Sequence, residues 1–217
     1  MSALRGHELY RFFHVGDDET PALRGVDVQL EAGKMVALVG PSGSGKSTLL
    51  ACLAGLDEPD GGHVDVMGER LSRRPEATRA RLRARHIGML MQSGNLFDHL
   101  TVSSNIALQI ELSGKGEQGS LLQRLGIGEH GDAMPSQLSG GEAARAGLAV
   151  ALAADPDILI CDEPTAEVDA DTEHRILEFL DERRRAGCAI LVATHSASLA
   201  QCADRILRIK DGRIVHD

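Results

Sequence analysis

The sequence contains no tryptophan and only five aromatic residues among 217: Tyr10, Phe12, Phe13, Phe97 and Phe179. Basic residues are also outnumbered, 23 Lys and Arg against 32 Asp and Glu, for a net charge of −9. A chain this acidic and this poor in rings lacks the basic, aromatic-studded face on which nucleic acid stacks, so no nucleic-acid partner is expected. Cysteine is scarce as well. Cys52, Cys161, Cys188 and Cys202 have no C-x-x-C spacing, and the first three sit among apolar or small residues. That pattern reads as buried reduced thiols in a cytosolic protein, against a disulfide or metal framework. The nine histidines form no H-x-x-x-H or His–Cys cluster. Long apolar runs are missing too. Met1 to Tyr10 offers no apolar core for a signal peptide, and the longest run, Ala146 to Ala154, is nine residues. A bilayer span needs roughly 20, so the chain is not expected to cross a membrane by itself.

What is present is a globular composition, 42% hydrophobic and 25% charged, which excludes disorder. At 217 residues the chain can bury a full core as one large domain or a core with a small insert. Short apolar strands alternate with helical patterns, the signature of an α/β core with a mainly parallel sheet. Strands are expected at Met35–Val39, Ile87–Met91, Ile158–Cys161 and Ala189–Thr194. One helix is expected over about Lys46–Ala54. A second runs over about Asp171–Ala186, burying Ile176, Leu177 and Leu180 and stopping at Gly187. The tail, Arg205–Val215, reads as a hairpin turning at Asp211-Gly212. The stretch before Gly33 and the Gly61–Gly68 segment alternate like the strands of an antiparallel side-sheet. Ser93 to Gly147 breaks this rhythm, with helical pieces at Thr101–Leu112 and Leu121–Leu125 and no strand. The expected organisation is therefore an α/β core of residues 1–92 and 148–217 carrying a helical subdomain, 93–147.

Gly40-Pro41-Ser42-Gly43-Ser44-Gly45-Lys46-Ser47, followed by Thr48, satisfies G-x-x-x-x-G-K-[ST] and lies between a buried strand and a helix, where that motif must lie. Its glycines let backbone N–H groups turn inward around an anion, and the helix start adds a positive dipole end. Lys46 supplies a charge for β- and γ-phosphates, and the Ser47 hydroxyl can ligate Mg²⁺. The loop points to a nucleoside triphosphate. Ile158-Leu-Ile-Cys-Asp162-Glu163 then puts two carboxylates at a strand's C-terminal end, where ligands of open α/β sheets bind. Adjacent strand residues face opposite ways, so the two acids should have different tasks. Asp162 suits a magnesium site, and Glu163 suits a general base that orients attacking water.

Leu138-Ser139-Gly140-Gly141-Glu142 allows two readings: a Ser-x-x-Glu capping box, or a second Gly-rich anion site at a helix start. With the phosphate loop and the Asp–Glu strand end in this order, the sequence resembles the nucleotide-binding subunits of ABC transporters, whose signature reads LSGGQ or LSGGE. The resemblance covers nearly the whole chain and implies a RecA-like P-loop NTPase core with an antiparallel β side-sheet and an inserted helical subdomain. It implies ATP and Mg²⁺ as cofactors. Gln92 resembles the glutamine that contacts Mg²⁺ and links core to helical subdomain; Asp169, in Ala166-Glu167-Val168-Asp169, resembles the D-loop aspartate. His195 resembles the switch histidine that contacts the γ-phosphate. Phe13 resembles the aromatic that stacks on adenine, with Tyr10 or Phe12 as alternates if the register differs. The family pairs two copies head to tail, so a homodimer with ATP at the interface is implied, docked on an integral-membrane permease and peripheral to the cytoplasmic face of the membrane.

The compact single domain, the insertion before Ala22-Leu-Arg-Gly-Val and the closing Ala193-Thr-His-Ser look most like the lipoprotein-releasing, macrolide-export and FtsE group. An FtsE-like regulatory ATPase that moves no cargo is the alternative to transport. Chromosome-structuring relatives need a long coiled-coil insertion, and translation-factor types need two cassettes; neither is present. Departures from the family pattern are Ala143-Ala144-Arg145 for Arg-Gln-Arg, Val150 for a later arginine, the Ala-Glu-Val-Asp D-loop, and a shortened stretch at Gly114–Ser120. They bear on the dimer interface and on contact with the membrane partner, and leave hydrolysis intact. Arg73, Arg74, Arg79, Arg81, Arg83 and Arg85 form one further cluster, in which Arg79 and Arg83 share a helical face. A solvated face and a contact with acidic headgroups or the partner are its two readings.

Overall fold

The computed structural model describes residues 2–16, 18–116, 119, 121–166 and 168–215. Glu117, Gln118 and Ser120 of the shortened stretch and Glu167 of the D-loop lie outside the described residues. Among the described residues the chain forms two sheets. Strands β1 (Ser2–Val15), β2 (Asp18–Glu31), β4 (Gly61–Val66) and β5 (Glu69–Arg70) make an antiparallel sheet in the order β2-β1-β4-β5. This is the side-sheet expected from alternation, and the alternation explains it: Leu4, Leu23, Val26, Val28, Leu30, Val64 and Val66 are buried while most of their neighbours are half-buried or exposed.

The second sheet runs β10-β9-β3-β8-β7-β6, built from β3 (Met35–Val39), β6 (Ile87–Leu90), β7 (Ile158–Asp162), β8 (Ala189–Ala193), β9 (Arg205–Lys210) and β10 (Arg213–Val215). Its four pairings from β9 to β6 are parallel, and only β10 is antiparallel, closing the expected hairpin. The turn uses Asp211 (φ +49°) and Gly212 (φ +73°), both left-handed, as a two-residue hairpin requires. β7 and β8 are buried along their whole length, which is why they read as continuous apolar runs.

Helix α1 (Lys46–Leu53) follows the phosphate loop, and α2 (Glu76–His86) leads into β6. The helical segment holds α3 (Val102–Ser113), α4 (Leu121–Arg124) and α5 (Gly140–Leu152), the last running unbroken across position 147/148. Its buried face, Ala146, Leu148, Ala149, Ala151 and Leu152, joins Leu90, Leu159 and Cys161 of the sheet in one core cluster. Helix α6 (Ala170–Arg185) ends before Gly187, whose φ of +105° only glycine adopts readily. One expectation needs correction: α6 buries Phe179 with Ile176 and Leu180, while Leu177 is half-buried. Phe179 lies three residues beyond Ile176 on the same helical face and also takes the Arg124 guanidinium 4.6 Å from its ring centroid. Helix α7 (Ala197–Cys202) closes the α/β part. Cys52, Cys161 and Cys188 are buried free thiols; Cys202 is free and exposed. Burial pushes the Cys52 and Cys188 thiols up to about 12, so both are inert near neutrality.

Candidate nucleotide site

Strand order builds the site. β8 lies between β3 and β7, with Leu38 opposite Ala193 and Asp162 opposite Ala193 on the other side. The loop after β3, His195 after β8 and Glu163 after β7 therefore emerge in a row, and Gln92 follows β6 next to them. A cleft of about 370 Å³ at these strand ends is lined by Phe13, Ala22, Ser42, Gly43, Gly45, Lys46, Ser47, Thr48, Gln92, Asp162, Glu163 and His195.

The loop backbone shapes the cleft floor. Gly45 has φ +103°, and a Cβ there would lie 2.5 Å from the Ala22 carbonyl oxygen. At Gly40 it would lie 2.2 Å from the carbonyl of Ile209, so neither position accepts a side chain. The start of α1 has no side-chain cap and no acidic residue in its first turn, which leaves its first N–H groups for an anion. Lys46 is 92% withdrawn from solvent, since only 8% of its surface is exposed. Its Nζ donates to the carbonyls of Gly40 (2.8 Å) and Pro41 (3.1 Å) and stands 3.4 Å from His195 Nε2. Gly40 and Pro41 thus sit beneath the lysine, outside the cleft lining, and Ser44 is buried with its hydroxyl unpartnered.

Across the cleft, the Ser47 hydroxyl donates to Asp162 Oδ2 at 2.7 Å. Glu163 turns out of the strand through a left-handed backbone (φ +53°), a conformation a non-glycine residue takes at a cost of about 1–2 kcal/mol. That turn sends its side chain toward β8. Oε2 accepts from the backbone N–H of His195 (3.2 Å) and from the Thr194 hydroxyl (3.4 Å). Oε1 is buried without a hydrogen-bond partner, with His195 Nε2 at 3.6 Å. A carboxylate with one oxygen fixed and the other unused is arranged to accept a proton from something placed in the cleft.

Phe13 lines the cleft at 41% exposure; Tyr10 and Phe12 do not line it and stack on each other, centroids 6.4 Å apart. Of the two alternates, neither shares the phosphate loop's cleft.

Ser139, Gly140, Gly141, Glu142 and Asp169 are not brought to this cleft within one chain. Ser139 caps α5: its Oγ accepts from the Glu142 N–H, and Glu142 Oε2 accepts from the Ser139 N–H at 2.8 Å. That backbone bond holds the Glu142 carboxyl below the usual range. The capping-box reading is thus realised. Asp169 caps α6, accepting from the N–H of Thr172 (2.9 Å) and from its hydroxyl (2.8 Å), which holds its carboxyl low as well. Arg145 Nη1 donates to the same Thr172 hydroxyl. In the arginine cluster, Arg79 and Arg83 both pair with Glu76 of their own helix, and they reach Glu58 and the Gly55 carbonyl after α1, so these two are engaged within the chain.

Sequence reasoning missed Ala22, Thr194 and Arg11. Ala22 is signalled only by the glycine it forces at position 45, and Thr194 only by its place beside His195. Arg11 carries a signal in hindsight, as the cation two residues before the cleft aromatic.

A Gly-rich loop between a parallel strand and an uncapped helix, facing a paired Ser–Asp and a strand-end glutamate, defines a phosphate-loop nucleotide-hydrolase site. The comparisons narrow this. The sequence profile described as ABC transporter matches residues 23–166, and the chain belongs to that family. It is an ABC ATP-binding cassette, an ATPase domain. It is 40% identical over 215 residues to the uncharacterized ABC transporter ATP-binding protein YbbA of Escherichia coli K12, covering 96% of this chain and 94% of that one. It is 37% identical over 223 residues to the macrolide export ATP-binding/permease protein MacB of Syntrophobacter fumaroxidans, covering 99% of this chain but 31% of that protein. Among solved structures, the dimeric bacterial ABC transporter cassette MJ0796 superposes with a TM-score of 0.94 at 28% identity, covering 98% of this chain and 97% of that one. The same cassette in a post-hydrolysis state bound to ADP and Pi superposes with a TM-score of 0.93. Among the described residues no helix is long and apolar enough to cross a membrane.

Proposed function

We propose that this cassette is the ATP-hydrolysing subunit of a transporter of the MacB and YbbA type, driving a separate integral-membrane permease through ATP-dependent head-to-tail dimerisation. The observation that carries the reading is the division of the motifs. Lys46, Ser47, Gln92, Asp162, Glu163 and His195 share one cleft, while Ser139, Gly141 and Asp169 line neither it nor the adjoining cavity in which Gly140 meets Gln92 and Glu163. A second copy is the simplest source of the missing half. The dimeric form of the similar cassette supports this.

In this reading the loop N–H groups and Lys46 hold the β- and γ-phosphates, and Phe13 lies against the adenine. Ser47 and Asp162 present oxygen donors, the kind a small hard cation takes together with substrate phosphates. No group of three His, Cys, Asp or Glu side chains among the described residues could hold a metal alone, so Mg²⁺ is expected to enter with the nucleotide. When bound there, it neutralises charge on the phosphates. Gln92 reaches the same cleft from the β6 end. Glu163 Oε1, the unpartnered buried oxygen, takes the proton of the attacking water, and His195 beside Lys46 faces the γ-phosphate.

The test is Glu163→Gln in gel filtration with Mg-ATP. Accumulation of a dimer that is absent without nucleotide supports the reading; a monomer under both conditions overturns the dimer mechanism. A pull-down from native membranes under mild detergent then identifies the permease. Partner activation without cargo movement in reconstituted vesicles would assign the FtsE-like regulatory role instead.

A further inference from the structure

We propose that Arg11 is a positioning residue of the nucleotide site, holding the Phe13 ring at the cleft so that the chain selects nucleotides over bare phosphates. The inference rests on the reading of Phe13 as the adenine platform.

Arg11 and Phe13 are two apart on β1, and the Arg11 guanidinium carbon lies 4.9 Å from the Phe13 ring centroid. That distance is within the range of a cation–π contact. The guanidinium is itself fixed. Its Nε and Nη2 donate to the two oxygens of Asp57 at 2.7 and 3.0 Å, a bidentate fork. Its Nη1 donates to Asp60 Oδ2 at 3.0 Å and to the Phe12 carbonyl at 3.3 Å. Asp60 in turn accepts from the Phe12 N–H at 2.7 Å, and its own N–H donates to the Tyr10 carbonyl at 2.9 Å. All three guanidinium nitrogens are therefore engaged by protein. Four of its five N–H donors are thus spent on protein acceptors, and its closest approach to the cleft is through the ring it covers.

Asp57 and Asp60 follow directly from α1, the helix that begins at Lys46. The chain of contacts from α1 through Asp57 to Arg11 to Phe13 fixes the ring against the element that carries the phosphate loop. One ring face carries the cation, and the ring keeps 41% of its surface exposed where it lines the cleft. β1 is irregular at this point, with register shifts on both sides of Tyr10 and Arg11, so strand pairing alone does not set the ring's direction. An exposed Phe without the clamp would sample several rotamers, and the nucleotide would have to order it on binding.

Titration calorimetry of the full chain with ADP and, separately, with inorganic pyrophosphate tests this, because pyrophosphate offers the loop phosphates without a base. Phe13→Ala is expected to weaken ADP about 5- to 150-fold, the range of one base–aromatic stack. Arg11→Ala is expected to weaken ADP three- to tenfold and pyrophosphate less than twofold, with Arg11→Lys in between because lysine keeps the charge but loses the fork. In steady state the effect should fall on KM for ATP. Equal weakening of ADP and pyrophosphate by Arg11→Ala and by Arg11→Lys would make the clamp a mere structural staple and overturn the inference alone. Unaltered ADP affinity in Phe13→Ala would overturn the adenine platform, and the inference with it.

Discussion

Lys46→Ala separates binding from folding, and the geometry gives both magnitudes. Nζ donates to the Gly40 and Pro41 carbonyls and stands beside the His195 nitrogen. The two carbonyls are uncharged acceptors around a largely buried ammonium, so it is poised for anionic oxygens. Removing one partner of a buried charged pair costs about 3–5 kcal/mol. Nucleotide affinity should therefore fall roughly 150- to 4,000-fold, at about 1.4 kcal/mol per decade. The folded state loses far less. Pro41 is exposed and Gly40 half-buried, so water can replace the lost donors, and an uncompensated charge disappears as well. Stability should move by no more than about 1 kcal/mol, or about 2–4 °C for a chain of this size. Calorimetry with ADP and pyrophosphate, paired with a thermal scan, reads both quantities. Because Lys46 meets phosphates, both ligands should weaken together, unlike the Arg11 variants. Unaltered affinity for either ligand refutes the phosphate assignment. A fall of more than 10 °C refutes the claim that the carbonyl contacts are dispensable to the fold.

Asp162→Asn, on the magnesium reading, should abolish most of the gain in ATP affinity that Mg²⁺ gives the unmodified chain; an equal Mg²⁺ effect in both would place the cation elsewhere. Gly45→Ala should destabilise the chain by at least about 1–2 kcal/mol, because its left-handed φ is costly for any side chain and the new Cβ meets the Ala22 carbonyl; chemical denaturation measures this, and a neutral variant would show that the loop adopts another path. Asp204 is held below the usual carboxylate range first by the Met35 N–H and then by Lys34, against the desolvation that pushes it up. Its folded pKa is depressed, so its contribution is present above the unfolded value near 4 and is lost as pH falls through the folded one. Stability of the unmodified chain should accordingly drop more steeply below about pH 4 than that of Asp204→Asn, and parallel pH profiles would remove Asp204 from the account.

The parallel sheet was legible because β3, β7 and β8 are buried on both faces and read as nearly continuous apolar runs. The side-sheet was legible from alternation, and the tail hairpin from Asp211-Gly212. The cleft was legible insofar as each component sits at a strand end that local pattern locates. What local pattern cannot supply is strand order. The approach of His195 to Lys46, 149 residues apart, follows only from β8 lying beside β3. The same limit hid the Arg11–Asp57 fork, whose partners are 46 residues apart on elements that periodicity does not pair. Glu163 was chosen for its charge, yet its positive φ left no trace in composition, because glutamate is not a residue that advertises a left-handed backbone. Phe179 was missed in favour of Leu177 because a single helical turn offers both, and the contact that decides between them comes from Arg124 on another helix.

Two Gly-rich helix starts in this chain look alike as sequence and differ as electrostatics. The first turn of α1 has neither cap nor acid, so its N–H groups and dipole face the cleft uncompensated. The first turn of α5 carries a closed capping box, with Glu142 supplying a carboxylate at the positive dipole end and Ser139 already accepting from a backbone N–H. A free phosphate is therefore drawn to α1, and α5 alone is a poor competitor for it. For α5 to serve as the second half of an ATP site, the phosphates must already be held and charge-balanced from the other side, leaving the Gly140 and Gly141 N–H groups and the Ser139 hydroxyl to complete the shell. That ordering, nucleotide on the loop first and partner second, is what makes ATP able to join two copies on the proposed mechanism. On that mechanism the acidic balance of the chain is no obstacle, since the start of α1 and Lys46 supply positive charge locally at the cleft.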